Sequence, residues 1–124
     1  MNMMNEQRAS ALMDKYGDEL YKFAYILTGA DNDAAEVFSD ALAEVITKNL
    51  LTGKDEEDRA LLFARVYKYA SKRKTAAEYD GKYGKKSDTF YELMKLPLKE
   101  RAFYHLTEYE DMTEQKAKEV TGQK

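Results

Sequence analysis

Apolar residues recur at helical spacing along almost the whole chain, and a single proline interrupts them, which leaves little that reads as a strand. Leu12, Tyr16, Leu20, Phe23 and Leu27 fall on one stripe, widened by Tyr21, Ala24 and Ile26, with Asp14, Lys15, Asp18, Glu19 and Lys22 on the other side. Gly17 inside this run weakens a helix by about 1 kcal/mol relative to alanine, so a split of the first helix is expected there. Thr28-Gly29 ends the run, glycine suiting the left-handed position past a helix C-terminus. Asp31 is the expected N-cap of a second helix, and Asp33 and Glu36 fall in its first turn, where the helix dipole favours anions. Ala34, Val37, Phe38, Ala41, Leu42 and Val45 make its buried stripe, and Ser39, Asp40 and Glu44 lie outside that stripe.

A polar loop follows, with Asp55 or Asp58 the expected cap of a third helix. Leu62, Val66, Tyr69 and Ala70 form its core face, while Arg65, Lys68 and Lys72 form a basic stripe continued by Arg73 and Lys74. Residues 75–89 carry glycines and lysines without an apolar period and read as a linker between 1–74 and 90–124. Beyond it, Phe90, Leu93 and Met94 point inward from a short helix, and Pro97 suits the first turn of the next. That helix uses Ala102, Phe103, Leu106 and Tyr109, and Thr113 caps a last one bearing Ala117 and Val120. The expected class is all-α, a three- to four-helix bundle followed by a short helical module.

At 124 residues the chain is long enough to bury a core without disulfides, and it has no cysteine, which excludes thiolate metal sites and cysteine nucleophiles. No positively charged start leads into an apolar stretch, and no apolar run approaches the roughly 20 residues that span a bilayer. A cytoplasmic protein without membrane contact is expected. Net charge is −3, unevenly distributed. Residues 1–64 hold 13 acids and 6 bases, residues 65–87 hold 8 bases and 2 acids, and residues 88–124 hold 8 acids and 6 bases. The basic middle keeps nucleic acid in view, because binding follows local potential rather than net charge. His105 is the only histidine, set among Phe103, Tyr104 and Leu106, and reads as a packed or surface residue. No nucleophile triad, phosphate cradle, Glu-x-x-His pair or calcium loop is present, so neither an enzyme nor a metal or other cofactor is expected.

The stretch LYKFAYILTGADNDAAEVFSDALAEVI, residues 20–46, resembles the conserved helical region of bacterial sigma factors of the extracytoplasmic-function group. There an aromatic-rich helix ends in Leu-Thr-Gly, and an acid-rich helix follows. ALLFARVYKYASKRK stands where that family has a helix with a basic end, and LMKLPLKERAFYHLTEYEDMTEQKAKEVTG is similar to the start of its C-terminal helix-turn-helix. The likeness spans most of the chain in the right order. Departures are Ser39 for the family's glutamine, Leu62 and Tyr69 at or near its tryptophan and asparagine, Ala117 for a large aliphatic residue, and Lys118 for a small alanine.

The resemblance implies a sigma region 2-like bundle in 1–74 and an incomplete region 4-like module in 90–124. It implies that Glu36, Ser39, Asp40, Ala43 and Glu44 present a face to the clamp helices of the core RNA polymerase beta-prime subunit. It also implies that Lys54, Arg65, Lys68, Lys72, Arg73 and Lys74 face promoter DNA at the proximal element, with Tyr67 as a stacking platform. The chain stops at Lys124, before a recognition helix, so reading of the distal element is expected to be absent. Two functions stay open: a sigma-like initiation factor, or an interaction module such as a co-sigma, split sigma or decoy that does not read DNA. An anti-sigma or co-sigma protein is a further partner the resemblance admits.

Overall fold

The computed structural model describes residues 3–73 and 92–122, and every element within them is helical. Helix α1 runs Met3–Thr28, α2 Asp31–Thr47 and α3 Asp55–Ser71. A helical turn at 92–94 leads through Pro97 into α4, Leu98–Glu108, and α5 covers Glu114–Thr121. The linker 75–89, Lys74 and Phe90 lie outside the described residues.

α1 does not split at Gly17 but continues through it. Leu12 and Leu20, each 1 % exposed, lie on either side of the glycine. Burying such side chains stabilises by about 1.5–3 kcal/mol each, more than the roughly 1 kcal/mol glycine penalty. Gly29 adopts φ 78° and donates its N–H to Tyr25 at 2.7 Å, ending α1 as the sequence suggested. The expected Asp31 cap is corrected: Ala30 holds the N-cap position without a side-chain bond, and Asp31 instead accepts from the Tyr21 hydroxyl of α1. Lys54 likewise occupies the N-cap of α3. Asp58, one turn inside, reaches back to the N–H groups of Thr52 and Gly53 at 2.7 and 3.0 Å. At α5 the expectation holds, with Thr113 accepting from the Lys116 N–H at 3.1 Å.

α1, α2 and α3 pack pairwise into a bundle, α4 lies on α1, and α5 lies on both α3 and α4. One continuous core results. Phe23, Val37, Val45, Leu62 and Phe63 meet in the bundle, and Ala102, Leu106, Ala117 and Val120 join the same cluster from the C-terminal helices. The segments on either side of residues 75–89 therefore share an interior. Phe63, absent from the core face read in the sequence, is fully buried and meets Phe23 edge to face at 5.1 Å. Tyr109, expected inside, is 53 % exposed, because α4 ends at Glu108 and the chain turns away there.

Three polar anchors hold these elements. Asp58 is 0 % exposed and takes five hydrogen bonds, from the Thr52 N–H and hydroxyl, the Gly53 N–H, and Arg8 Nε and Nη2. Burial alone would raise its carboxyl, but these donors more than offset that and hold it below its usual value. Arg101, 4 % exposed, donates to the carbonyls of Ile26 and Leu27 at the end of α1 and of Leu93, Met94 and Leu96 before α4. It thus caps two helical ends with one cation, which the negative ends of helix dipoles favour. Arg59 joins α1 to the α4–α5 connection, its Nη2 lying 3.0 Å from a Glu110 carboxylate oxygen and 3.5 Å from that of Glu19.

Candidate docking surface on the second and third helices

The acidic side of α2 and the basic stripe of α3 face each other. Helical spacing brings this about: Asp33, Glu36, Asp40 and Glu44 descend one edge of α2, and Arg65, Lys68, Lys72 and Arg73 run along the adjoining edge of α3. Arg73 bridges Asp33 and Glu36 at 3.0 and 2.6 Å. Lys68 lies 2.9 Å from Glu44, with Lys48 at 3.4 Å and Arg65 at 3.8 Å from the same oxygen.

Glu44 is a correction. The sequence placed it outside the buried stripe, yet it is 7 % exposed. Its carboxylate takes a hydrogen bond from the Tyr69 hydroxyl and others from Lys68, and these hold its pKa down at about 2 despite burial. A carboxylate in that position is a hub between α2 and α3, not part of an open face. Glu36 stays exposed but is engaged by Arg73. Ser39, Asp40 and Ala43 are exposed, and among the described residues Asp40 is in no ion pair.

The residues expected at DNA fare similarly. Arg65, Lys68 and Arg73 are partly buried and turned to the acids of α2. Lys72 is exposed, its ammonium 4.9 Å from the Tyr69 ring. Lys54 is exposed in the α2–α3 connection, 4.0 Å from Glu57. Tyr67 is half-buried and packs against the core, and burial raises its hydroxyl pKa. Lys74 lies outside the described residues.

Between the two helices opens a shallow groove lined by Asp40, Ala43, Thr47, Lys48 and Tyr69, with Glu44 at its base. It is wide enough for a side chain or two, and its wall carries Asp40, in no ion pair among the described residues.

Sequence reasoning missed the charged residues that hold the fold: Arg8, Arg59, Arg101 and Glu110. His105 is indeed packed, stacked on Phe23 at 5.5 Å and near Tyr109 at 5.4 Å. Its Nε2 lies 3.3 Å from Glu110 but off the direction a hydrogen bond needs. Burial would raise the Glu110 carboxyl, but His105, Glu19 and Arg59 hold it below its usual value. Among the described residues no group of His, Asp and Glu is arranged to hold a metal ion, and no helix is long and apolar enough to cross a membrane. Comparison with protein-family models, with curated proteins and with solved structures returned no match.

Proposed function

We propose that the chain is a sigma-like interaction module that docks on core RNA polymerase through the exposed edge of α2 and does not itself read promoter DNA. One observation carries the second half of this reading. Arg65, Lys68 and Arg73, the centre of the expected DNA-facing stripe, are directed into Glu44, Asp33 and Glu36 of the same chain. Releasing Arg65 and Lys68 to phosphate would leave buried Glu44 with Lys48 alone of the described cations, and releasing Arg73 would free Asp33 and Glu36; taking partners from a buried charge costs up to about 3–5 kcal/mol. The first half rests on the resemblance of residues 20–46 to the polymerase-docking region of sigma factors, and on the exposure of Ser39, Asp40 and Ala43. An acidic edge of this kind suits a basic helix pair on the clamp of the beta-prime subunit, where complementarity sets orientation and encounter rate. Such a role belongs in the bacterial cytoplasm, beside a co-sigma or anti-sigma partner.

The test is capture of bacterial core polymerase by the wild type and by a Ser39→Arg, Asp40→Lys double variant. Glu36 is left alone, since reversing it would repel Arg73 and disturb the bundle. Capture by the wild type, with loss in a variant of unchanged helicity, supports the docking edge. Failure of the wild type to capture polymerase sinks it. Exposed Lys72 and Lys54 keep the initiation-factor reading open. Affinity for single-stranded promoter DNA that falls steeply with salt would favour that second reading, because each phosphate contact adds about 0.7 to the log–log slope.

A further inference from the structure

Apart from the α2–α3 groove, with no lining residue in common, α4 borders an open groove of about 630 Å³. Leu96, Phe103 and Tyr104 supply its apolar surface. Tyr104 is 40 % exposed and Tyr109 53 %, and they are the large hydrophobic residues left exposed among those described. Their rings meet edge to face at 6.2 Å, so the aromatic surface continues past the end of α4. Glu100, Glu108 and Glu114 stand around this groove, with Lys99 as the one base among the described residues that line it. Among the described residues none of these three carboxylates is in an ion pair, whereas Glu44, Asp55, Asp58 and Glu110 are all neutralised within the fold.

We infer that this groove is a second docking site, which takes a lysine- or arginine-bearing amphipathic helix of a partner protein. The charge balance selects the sign of the occupant. Among the described residues three carboxylates in no ion pair face one lysine, a balance that repels nucleic acid and anionic lipid headgroups and attracts cations. The aromatics select its form: a cation can sit over the Tyr104 face while its own apolar neighbours cover Phe103 and Leu96. Helix geometry agrees. Within α4, Glu100, Phe103, Tyr104, Thr107 and Glu108 follow the spacing of a surface ridge, against which a second helix packs ridge into groove, and Leu96 lies just before the helix. No sheet edge is available to an extended strand among the described residues, so contacts must run through side chains. The site lies apart from the α2 edge and does not depend on a polymerase partner.

The probe is a synthetic helix of Leu and Lys with Leu at i, i+3, i+4 and i+7, titrated against the full chain by fluorescence anisotropy. A peptide of the same composition in scrambled order is the control. The patterned peptide is expected to bind about tenfold tighter than the scrambled one, and Tyr104→Ser to remove about as much. A Glu100→Gln, Glu108→Gln, Glu114→Gln variant is expected to weaken binding and flatten its salt dependence. An Asp40→Lys variant should bind like the wild type. Equal binding of the two peptides, indifference to Tyr104→Ser, loss with Asp40→Lys, or no binding would each overturn the inference.

Discussion

Replacing Arg101 by methionine keeps a side chain of similar length in place and removes the guanidinium's hydrogen bonds to five backbone carbonyls. The guanidinium reaches them at 2.9 to 3.3 Å, two at the end of α1 and three before α4. A net value of about 1 kcal/mol per bond gives about 5 kcal/mol lost. Relief of a buried cation, whose burial also pushes the Arg101 pKa down, returns about 1–2 kcal/mol of that. The net expectation is about 3–4 kcal/mol, a large share of the roughly 5–15 kcal/mol of an ordinary domain. Urea unfolding followed by far-UV ellipticity should show the midpoint falling by about 2 M with the slope unchanged. Arg101→Lys, with three donors on one nitrogen, can serve at most three of the carbonyls and should lose about 2 kcal/mol. A methionine variant within about 0.5 M of the wild-type midpoint, or a lysine variant equal to wild type, would refute the double-cap argument.

Asp58→Ala leaves Arg8 and the Thr52 and Gly53 amides without their common acceptor and should cost about 3–5 kcal/mol, lowering the melting temperature by more than about 10 °C. Asp58→Asn, which retains one acceptor oxygen, should fall between. The folded-state pKa of Glu44 is depressed from 4.5 to about 2, so its stabilising share is present above 4.5 and lost as pH falls toward 2. Urea titrations across that window should be flatter for Glu44→Gln than for the wild type, and parallel curves would remove Glu44 as the hub. Gly29→Ala puts a Cβ on a residue at φ 78° and should cost about 1–2 kcal/mol by chemical denaturation.

What the sequence showed and what it hid follow from the range of the interactions. Helices α1 to α5 were legible because amphipathic period, Gly29 and Thr113 are local signals. Caps were less so. Asp31 and Asp58 both carry the right side chain near a helix start, but each found a better donor elsewhere, the Tyr21 hydroxyl in one case and the Thr52–Gly53 amides in the other. The candidate surface was half legible. Spacing placed acids on an edge of α2 and bases on an edge of α3, but only the packing of the two helices shows that the edges adjoin. Glu44 looked solvated because nothing within α2 reveals Lys68 opposite it. Arg101 drew no notice because its five acceptors are backbone carbonyls, which have no signature in a sequence.

The three polar anchors join points far apart along the chain: Arg8 to Asp58 across 50 residues, Arg59 to Glu110 across 51, and Arg101 to Ile26 across 75. Closing the longest loop rather than the shortest costs only about 0.4 kcal/mol more in chain entropy, so distance alone does not order their formation. Dehydration does. A guanidinium gives up water only when its acceptors are already in place, and each anchor is therefore expected to form after the barrier to folding has been crossed. Their energy then lies on the native side of that barrier. Weakening any of them should speed unfolding and leave the refolding rate nearly unchanged. The charged residues that the apolar pattern never pointed to are, on this account, what sets the lifetime of the folded chain.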